Sequence, residues 1–190
     1  MALPTRRQLS LYVPTPQAEA IDALRRVLDP VQASLIPAHV TLCREDELDD
    51  VSPAELGLRL GVDIVRPIGL SFGPPQMFDG HGVLLPCVGD QSAFQSLRRI
   101  ALGKEDVRAH TPHITLAHPR NPKASGNTAA SLPLAPCVWQ ITFAEAVLIE
   151  QTNDAKCHVM QRFALWTGVP SDAQQAPAVA EAKAPGQNVP

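Results

Sequence analysis

The chain has 190 residues, a hydrophobic fraction of 45% and a formal net charge of −3 at pH 7, values that are typical of a globular domain. The acidic balance argues against a protein that coats long duplex nucleic acid, because such binding needs many Lys and Arg contacts to phosphates. No segment approaches the roughly 18 apolar residues of a membrane span, and the amino terminus lacks the apolar core of a signal peptide. We therefore expect a cytoplasmic protein with no membrane partner.

The first part of the chain predicts a strand, a helix and a second strand. Residues 8–13 alternate polar and apolar side chains, which is typical of a half-buried strand. Thr15 followed by Pro16 predicts a helix N-cap with proline at the first helical position, and apolar residues recur at helical spacing over residues 20–28. After a linking segment, the β-branched run at residues 39–44 predicts a strand.

The middle of the chain repeats this order. A capping box at residues 52–55 predicts a short helix to about Leu60. Strands are expected at residues 64–72 and 81–88, separated by a loop rich in glycine and proline, and the next helix at residues 91–102 ends at Gly103. A further strand follows at residues 113–117.

The last part of the chain predicts a long loop, two strands and a tail. Residues 119–136 form a polar loop long enough to be a lid or a variable surface loop. Strands are expected at residues 138–150 and 156–166, joined by a turn. Residues 170–190 are rich in Ala, Pro and Gln, so we expect a disordered tail after one domain over residues 1–169.

One pattern occurs twice, a His-x-Thr step inside a β-branched run. In a strand, residues i and i+2 project to the same face. His39 and Thr41 would then lie side by side, roughly 6 to 7 Å apart, as would His113 and Thr115, while the residues between and after them face the core. Two imidazoles for proton transfer and two hydroxyls for holding an anion suit the cleavage of a phosphate ester.

The two copies share their surroundings as well as their motif. Leu24 of a Leu-Arg-Arg-Val segment precedes His39 by 15 positions, and Leu97 of a Leu-Arg-Arg-Ile segment precedes His113 by 16. This nearly constant spacing predicts two similar halves related by an approximate two-fold axis. Each half would present one motif strand to a central cleft.

The motifs at residues 39–42 and 113–116 resemble the paired signatures of the 2H phosphoesterase superfamily, in particular its 2′-5′ RNA ligase-like or cyclic phosphodiesterase branch. The resemblance covers about residues 7–167. It implies a bilobal α+β fold, with two pseudo-symmetric lobes that each carry an antiparallel sheet and helix and face a central cleft. It also implies metal-independent hydrolysis of cyclic phosphates by the two histidines and two threonines. Several RNA-acting members have an arginine shortly after the second motif, where this chain has His118 and then Arg120.

These considerations predict a cyclic phosphodiesterase that requires neither cofactor nor metal. The expected ligand is a small cyclic nucleotide or the cyclic-phosphate end of an RNA, bound by a monomer. The candidate catalytic residues are His39, Thr41, His113 and Thr115. The candidate substrate-binding residues are Arg44, His118, Arg120, Tyr12 and Phe72.

Three alternatives stay open at this point. The histidines could be satisfied strand residues and the threonines simply good β formers. The pocket could bind a nucleotide phosphate without turnover, or the protein could join or break 2′-5′ linkages in RNA.

Most of the aromatic residues that could stack on a base, which include Phe78, Trp139 and Trp166, are also good core residues. The four cysteines follow no metal or disulfide spacing, which favours free thiols.

Overall fold

A computed structural model describes residues 5–61, 66–78, 82–121, 138–153 and 155–165. Within these ranges the protein has an α+β fold, as the sequence predicts. The strands are β1 (Thr5–Tyr12), β2 (His39–Cys43), β3 (Ile68–Phe72), β4 (Gln76–Phe78), β5 (Gly82–Val88), β6 (His113–Ala117), β7 (Trp139–Phe143), β8 (Glu145–Thr152) and β9 (His158–Ala164). The helices are α1 (Gln17–Leu28), α2 (Pro30–Leu35), α3 (Pro53–Leu60) and α4 (Ser92–Leu102), with a 3-10 turn at Glu45–Glu47.

The described strands form one antiparallel sheet in the order β7-β3-β5-β6-β2-β1-β8-β9, with β4 paired to β5. The order is symmetric about the β2–β6 pair. Each motif strand is followed outward by the strand that precedes its helix, β1 on one side and β5 on the other. The repeat that the sequence predicts is therefore present in the strand order, and the two halves join through the motif strands. The division into two lobes stays a prediction.

The helices begin and end largely where the sequence indicates. At α3, Ser52 Oγ accepts a hydrogen bond from the Glu55 amide (3.2 Å), and the Glu55 carboxylate accepts one from the Ser52 amide (2.8 Å), which is the predicted capping box. Helix α4 ends at Gly103, whose φ of 64° is left-handed and suits glycine. Helix α1 lies where the sequence predicts it, but the predicted N-cap is wrong. The helix starts at Gln17, and no side chain caps it.

The start of β5 makes a close backbone contact with the end of the second motif strand, β6. Gly82, at the start of β5, has a φ of +90°, and a Cβ atom there would lie 2.0 Å from the carbonyl oxygen of Ala117. Only glycine permits this approach. The β5–β6 pairing, and with it the position of the second motif, therefore depends on a residue without a side chain.

Some elements differ from expectation. The predicted strand at residues 138–150 is two strands: β7 pairs with β3 at one end of the sheet, whereas β8 pairs with β1 in the other half. The linking segment before β2 contains helix α2, and the expected loop before β5 contains the short strand β4. The predicted long loop and the predicted tail lie largely or entirely outside the described residues, as do His81, Cys137 and Trp166. Cys43 and Cys87 are buried free thiols, and Cys157 is a partly buried one.

Candidate active site

The two motif strands pair with each other at the centre of the sheet. Val40 of β2 lies opposite Ile114 of β6 in an antiparallel register. The same register sets each motif histidine opposite the threonine of the other motif, namely His39 with Thr115 and His113 with Thr41. Residues that are directly opposite have Cβ atoms about 5 Å apart. Four polar side chains therefore occupy one compact patch of the sheet.

Burial alternates along both motif strands as the sequence predicts. The histidines and threonines are partly exposed, whereas the intervening side chains are at most 1% exposed, namely Val40, Leu42, Ile114 and Leu116. Because side chains on a strand alternate between faces, the apolar set fixes the register and holds the polar set on the opposite face. The strand histidines thus do not belong to the core.

A cavity of about 230 Å³ opens on this polar face. All four motif side chains line it, and so do the predicted substrate-binding residues His118 and Arg120. Sequence reasoning missed several further polar residues of the lining: Arg6, Gln8, Arg25, Gln32, Glu45 and Gln151. Arg6 is held there by Gln151, whose side-chain oxygen accepts from its Nε (3.0 Å) and Nη2 (2.6 Å).

Both motif histidines make the same hydrogen bond. Nδ1 of His39 lies 2.8 Å from the carbonyl oxygen of Pro37, and Nδ1 of His113 lies 3.0 Å from that of Thr111. A carbonyl can only accept, so Nδ1 carries the proton in each ring. In the neutral imidazole the Nε2 lone pair is then free for substrate. The main chain two residues before each histidine thus orients both rings and selects their tautomer.

The electrostatic surroundings of His39 favour its neutral form. Burial, together with the positive charge of Arg25, lowers its pKa to about 4, although the hydrogen bond to Pro37 acts in the opposite direction. His39 is therefore neutral at pH 7, the form in which an imidazole can accept a proton.

A buried arginine on α1 supports the first motif. Arg25 is 3% exposed, pairs with Asp22 (2.6 Å) and donates to the carbonyl of Ile36 (2.8 Å). The same Asp22 carboxylate accepts from the amide of Ala38 (3.1 Å). These contacts fix the main chain on both sides of Pro37, whose carbonyl orients His39.

The equivalent arginine on α4 connects the segment before the second motif to the first motif strand. Arg98 occupies the same place in the Leu-Arg-Arg repeat as Arg25 and is fully buried. It donates to the carbonyl of Arg108 (2.9 Å), to the Glu47 carboxylate (2.7 Å) and to the carbonyl of Leu42 on β2. The repeat of these arginines is visible in the sequence, but helical spacing alone does not predict that their side chains are buried.

A third histidine links the two motifs. His110 is 7% exposed, and its Nε2 lies 3.1 Å from the carbonyl oxygen of Thr41. Its ring centroid lies 6.0 Å from that of His113, and its own carbonyl accepts from the Gln95 side chain (2.8 Å). Burial, with nearby arginines, lowers the pKa of His110 to about 4. His110 is therefore a structural link and not a cavity residue.

Three predicted substrate-binding residues lie outside the lining of the cavity. Phe72 is fully buried against Phe143, with ring centroids 6.5 Å apart, so the prediction that it contacts substrate is wrong. Arg44 is exposed, and its amide donates to Glu47 (2.9 Å). Tyr12 is a neighbour of the site, since its ring meets that of His39 edge-on at 6.4 Å. Roles for Arg44 and Tyr12 in binding substrate stay predictions.

Among the residues that the structure describes, no group of three or more His, Cys, Asp or Glu side chains is placed to hold a metal ion. Within the same ranges, no helix has the length and apolar character needed to cross a membrane.

A comparison with protein-family models shows which family the chain belongs to. Residues 13–155 match the model of the 2′-5′ RNA ligase superfamily. The chain belongs to this superfamily. The match spans both motifs and both halves of the repeat, so the resemblance that the motifs suggest is confirmed. A search of curated proteins finds no match.

Several solved structures share the fold at low sequence identity. LigT of E. coli in complex with NADP+ aligns with a TM-score of 0.59 at 20% identity, covering 85% of this chain and 98% of LigT. LigT in complex with 3′-AMP gives 0.57 at 20% identity, with coverages of 86% and 99%. The protein TT0787 of Thermus thermophilus gives 0.51 at 18% identity, with coverages of 84% and 97%. At this identity the similarity establishes the fold.

Proposed function

We propose that the protein is a metal-independent phosphodiesterase that hydrolyses a cyclic phosphate, either a 2′,3′-cyclic nucleotide or the cyclic-phosphate terminus of an RNA, to a phosphomonoester. The observation that carries the proposal is the β2–β6 register, which brings two histidines and two threonines to one cavity. Superfamily membership supports phosphoester chemistry. The complexes of E. coli LigT with NADP+ and 3′-AMP support a nucleotide-sized ligand.

The two imidazoles divide the proton transfers of the reaction. As water attacks phosphorus, one imidazole accepts its proton through Nε2, and a new P–O bond forms. The bond to the departing sugar oxygen breaks on the opposite side, and the other imidazole, protonated, gives its proton to that oxygen. The low pKa of His39 keeps it neutral in the free enzyme, which favours His39 as the base and His113 as the acid.

The threonines stabilise the charge that grows on the phosphate. Negative charge accumulates on the non-bridging oxygens in the transition state. Thr41 and Thr115 lie beside the histidines on the same face and line the same cavity, so their hydroxyls are placed to donate there. Preorganised donors of this kind typically contribute about 10²-fold or more to the rate.

Phosphorus NMR of the purified protein with a panel of 2′,3′-cyclic nucleotides, in the presence of EDTA, tests the proposal. We expect the cyclic phosphate signal to be replaced by a single monoester signal. If no panel member is converted, but a 2′-5′ dinucleotide is cleaved or formed, the activity is the alternative one on 2′-5′ linkages. If ligands bind and stay unchanged in both assays, the protein is a binding module and the proposed hydrolysis is wrong.

A further inference from the structure

His118 is anchored by its main chain immediately after the second motif strand. Its amide donates to Oδ2 of Asp29 (2.9 Å). Asp29 is 1% exposed, and its Oδ1 accepts from the amide of Gln32 at the start of α2 (3.1 Å). A buried carboxylate at the α1–α2 junction therefore fixes the backbone of His118. Because the anchor uses only the backbone of His118, a substitution of its side chain leaves that anchor in place.

The ring of His118 has the opposite tautomer to the two motif histidines. Its Nδ1 accepts a hydrogen bond from the amide of Arg120 (3.1 Å). An amide can only donate, so Nδ1 carries no proton and Nε2 carries it. The rings of His39 and His113 instead donate from Nδ1. The cavity is thus lined by two histidines that donate from Nδ1 to the main chain and by one histidine that accepts at Nδ1 and carries its proton on Nε2.

The surroundings of His118 keep this donor neutral. Burial lowers its pKa, and the neighbouring charge of Arg120 lowers it further, whereas Asp29 acts in the opposite direction. A protonated ring would also lose the Nδ1 acceptor that the Arg120 amide uses. The main-chain hydrogen bond and the electrostatic surroundings therefore both favour the neutral ring of His118 with its proton on Nε2.

We propose that His118 binds the substrate by donating a hydrogen bond from Nε2–H to an anionic oxygen of the phosphate held between His39 and His113. This inference rests on the proposed function, because it assigns the phosphate to the cavity that the three histidines line. His118 thereby acts as a third type of group in the site, a neutral donor that adds no charge and takes no part in proton transfer.

Long-range ¹H–¹⁵N NMR correlations of the histidine rings test the tautomer without any assay of activity. The spectrum is recorded at about pH 7.5 on wild type, with His118→Gln to assign the ring. We expect His118 to carry its proton on Nε2 and His39 to carry its proton on Nδ1. A His118 ring that is protonated on Nδ1, or on both nitrogens, would overturn the inference.

Binding of inorganic phosphate tests the donor itself. The comparison uses His118→Leu, which removes the donor, and His118→Gln, whose amide N–H can replace it. His158→Leu on β9 is the control, because His158 is exposed and does not line the cavity. A hydrogen bond to a charged group is stronger than one between neutral groups, so His118→Leu should weaken phosphate binding by about 10-fold or more. His118→Gln should recover most of that loss, and His158→Leu should bind like wild type.

Kinetics with a 2′,3′-cyclic nucleotide separate this inference from the proposed function. If wild type turns over the nucleotide and His118→Leu loses kcat/KM by about 10-fold or more with recovery in His118→Gln, both stand. If wild type is inactive while phosphate binding depends on His118 as described, the proposed function fails and the donor role stands. Phosphate affinity and kcat/KM that are unchanged in His118→Leu would overturn the donor role.

Discussion

His39 and Thr115 lie opposite each other across the central strand pair, although they are far apart in sequence and belong to different motifs. The same antiparallel register gives the reciprocal pair, Thr41 with His113. Each histidine thus has one threonine two residues ahead on its own strand and another directly across. An anion bound at the centre of this patch can reach both hydroxyls and both rings, which a single motif could not provide.

The threonine hydroxyls are the first target for substitution. Thr41→Val and Thr115→Val keep the β-branched shape and remove only the hydroxyl, so the strands should form as before. We expect each to lower kcat by about 10²-fold, the usual contribution of one donor to a developing anion. Thr142→Val is the control, since Thr142 is exposed on β7 away from the cavity. Steady-state kinetics with a cyclic nucleotide give the result, and a kcat unchanged in both site variants would contradict the role.

The repeated arginines are the second target. Arg25→Met should lower the free energy of unfolding by on the order of 3 kcal/mol, because it removes the buried ion pair with Asp22 and the hydrogen bond to the carbonyl of Ile36. Arg26→Met is a matched control from the next position, where the side chain is exposed, and should change stability by less than about 0.5 kcal/mol. Urea unfolding followed by circular dichroism measures both.

Arg25→Met should also affect activity through the position of His39. The main chain around Pro37 is held by Arg25 and Asp22, so its loosening should lower kcat. Equal unfolding free energies of the Arg25 and Arg26 variants would show that the buried contacts of Arg25 do not support the first motif.

The sequence was sufficient for the features that depend on local periodicity. Alternation along residues 39–42 and 113–116 indicated the faces of the motif strands, and Gly103 indicated the end of α4. The repeat of Leu-Arg-Arg predicted the symmetric strand order, because nearly equal spacing between similar elements is a long-range signal that a single sequence can carry.

The rest of the site depends on contacts between distant segments. The pairing of β2 with β6 and the crossing of the chain from β7 to β8 are set by packing over the whole sheet, for which the local pattern contains no signal. The sequence predicts Phe72 as a substrate-binding residue, because aromatic residues are common both in cores and in binding sites. Arg25 and Arg98 were missed because burial of an arginine depends on partners, such as Asp22 and Glu47, that only the fold brings near.

The pH dependence of stability tests the burial of His110. The pKa of a histidine in the unfolded chain is about 6.5, whereas burial in the fold lowers the pKa of His110 to about 4. Between these values the unfolded state binds more protons, so stability should fall as the pH falls from about 6.5 to about 4 and level off below. The contribution is at most about 3 kcal/mol.

The effect of His110 is measured as a difference between variants. His110→Gln retains a donor for the Thr41 carbonyl but does not titrate, so its stability should decline less steeply than that of wild type over this range. His158→Gln, at an exposed position on β9, should follow the wild-type curve. Thermal unfolding at a series of pH values gives the comparison, and parallel curves for His110→Gln and wild type would show that His110 takes up its proton at the same pH in both states.

The proposed mechanism assigns the proton transfers to His39 and His113. Its most direct test is the rate of cyclic-nucleotide hydrolysis, followed by phosphorus NMR with EDTA present, for His39→Ala, His113→Ala and the control His158→Ala. A positioned acid or base usually contributes about 10²- to 10⁴-fold, so each motif variant should lose activity by that factor while His158→Ala keeps the wild-type rate. Full activity in either motif variant, with an unchanged circular dichroism spectrum, would contradict the two-histidine mechanism.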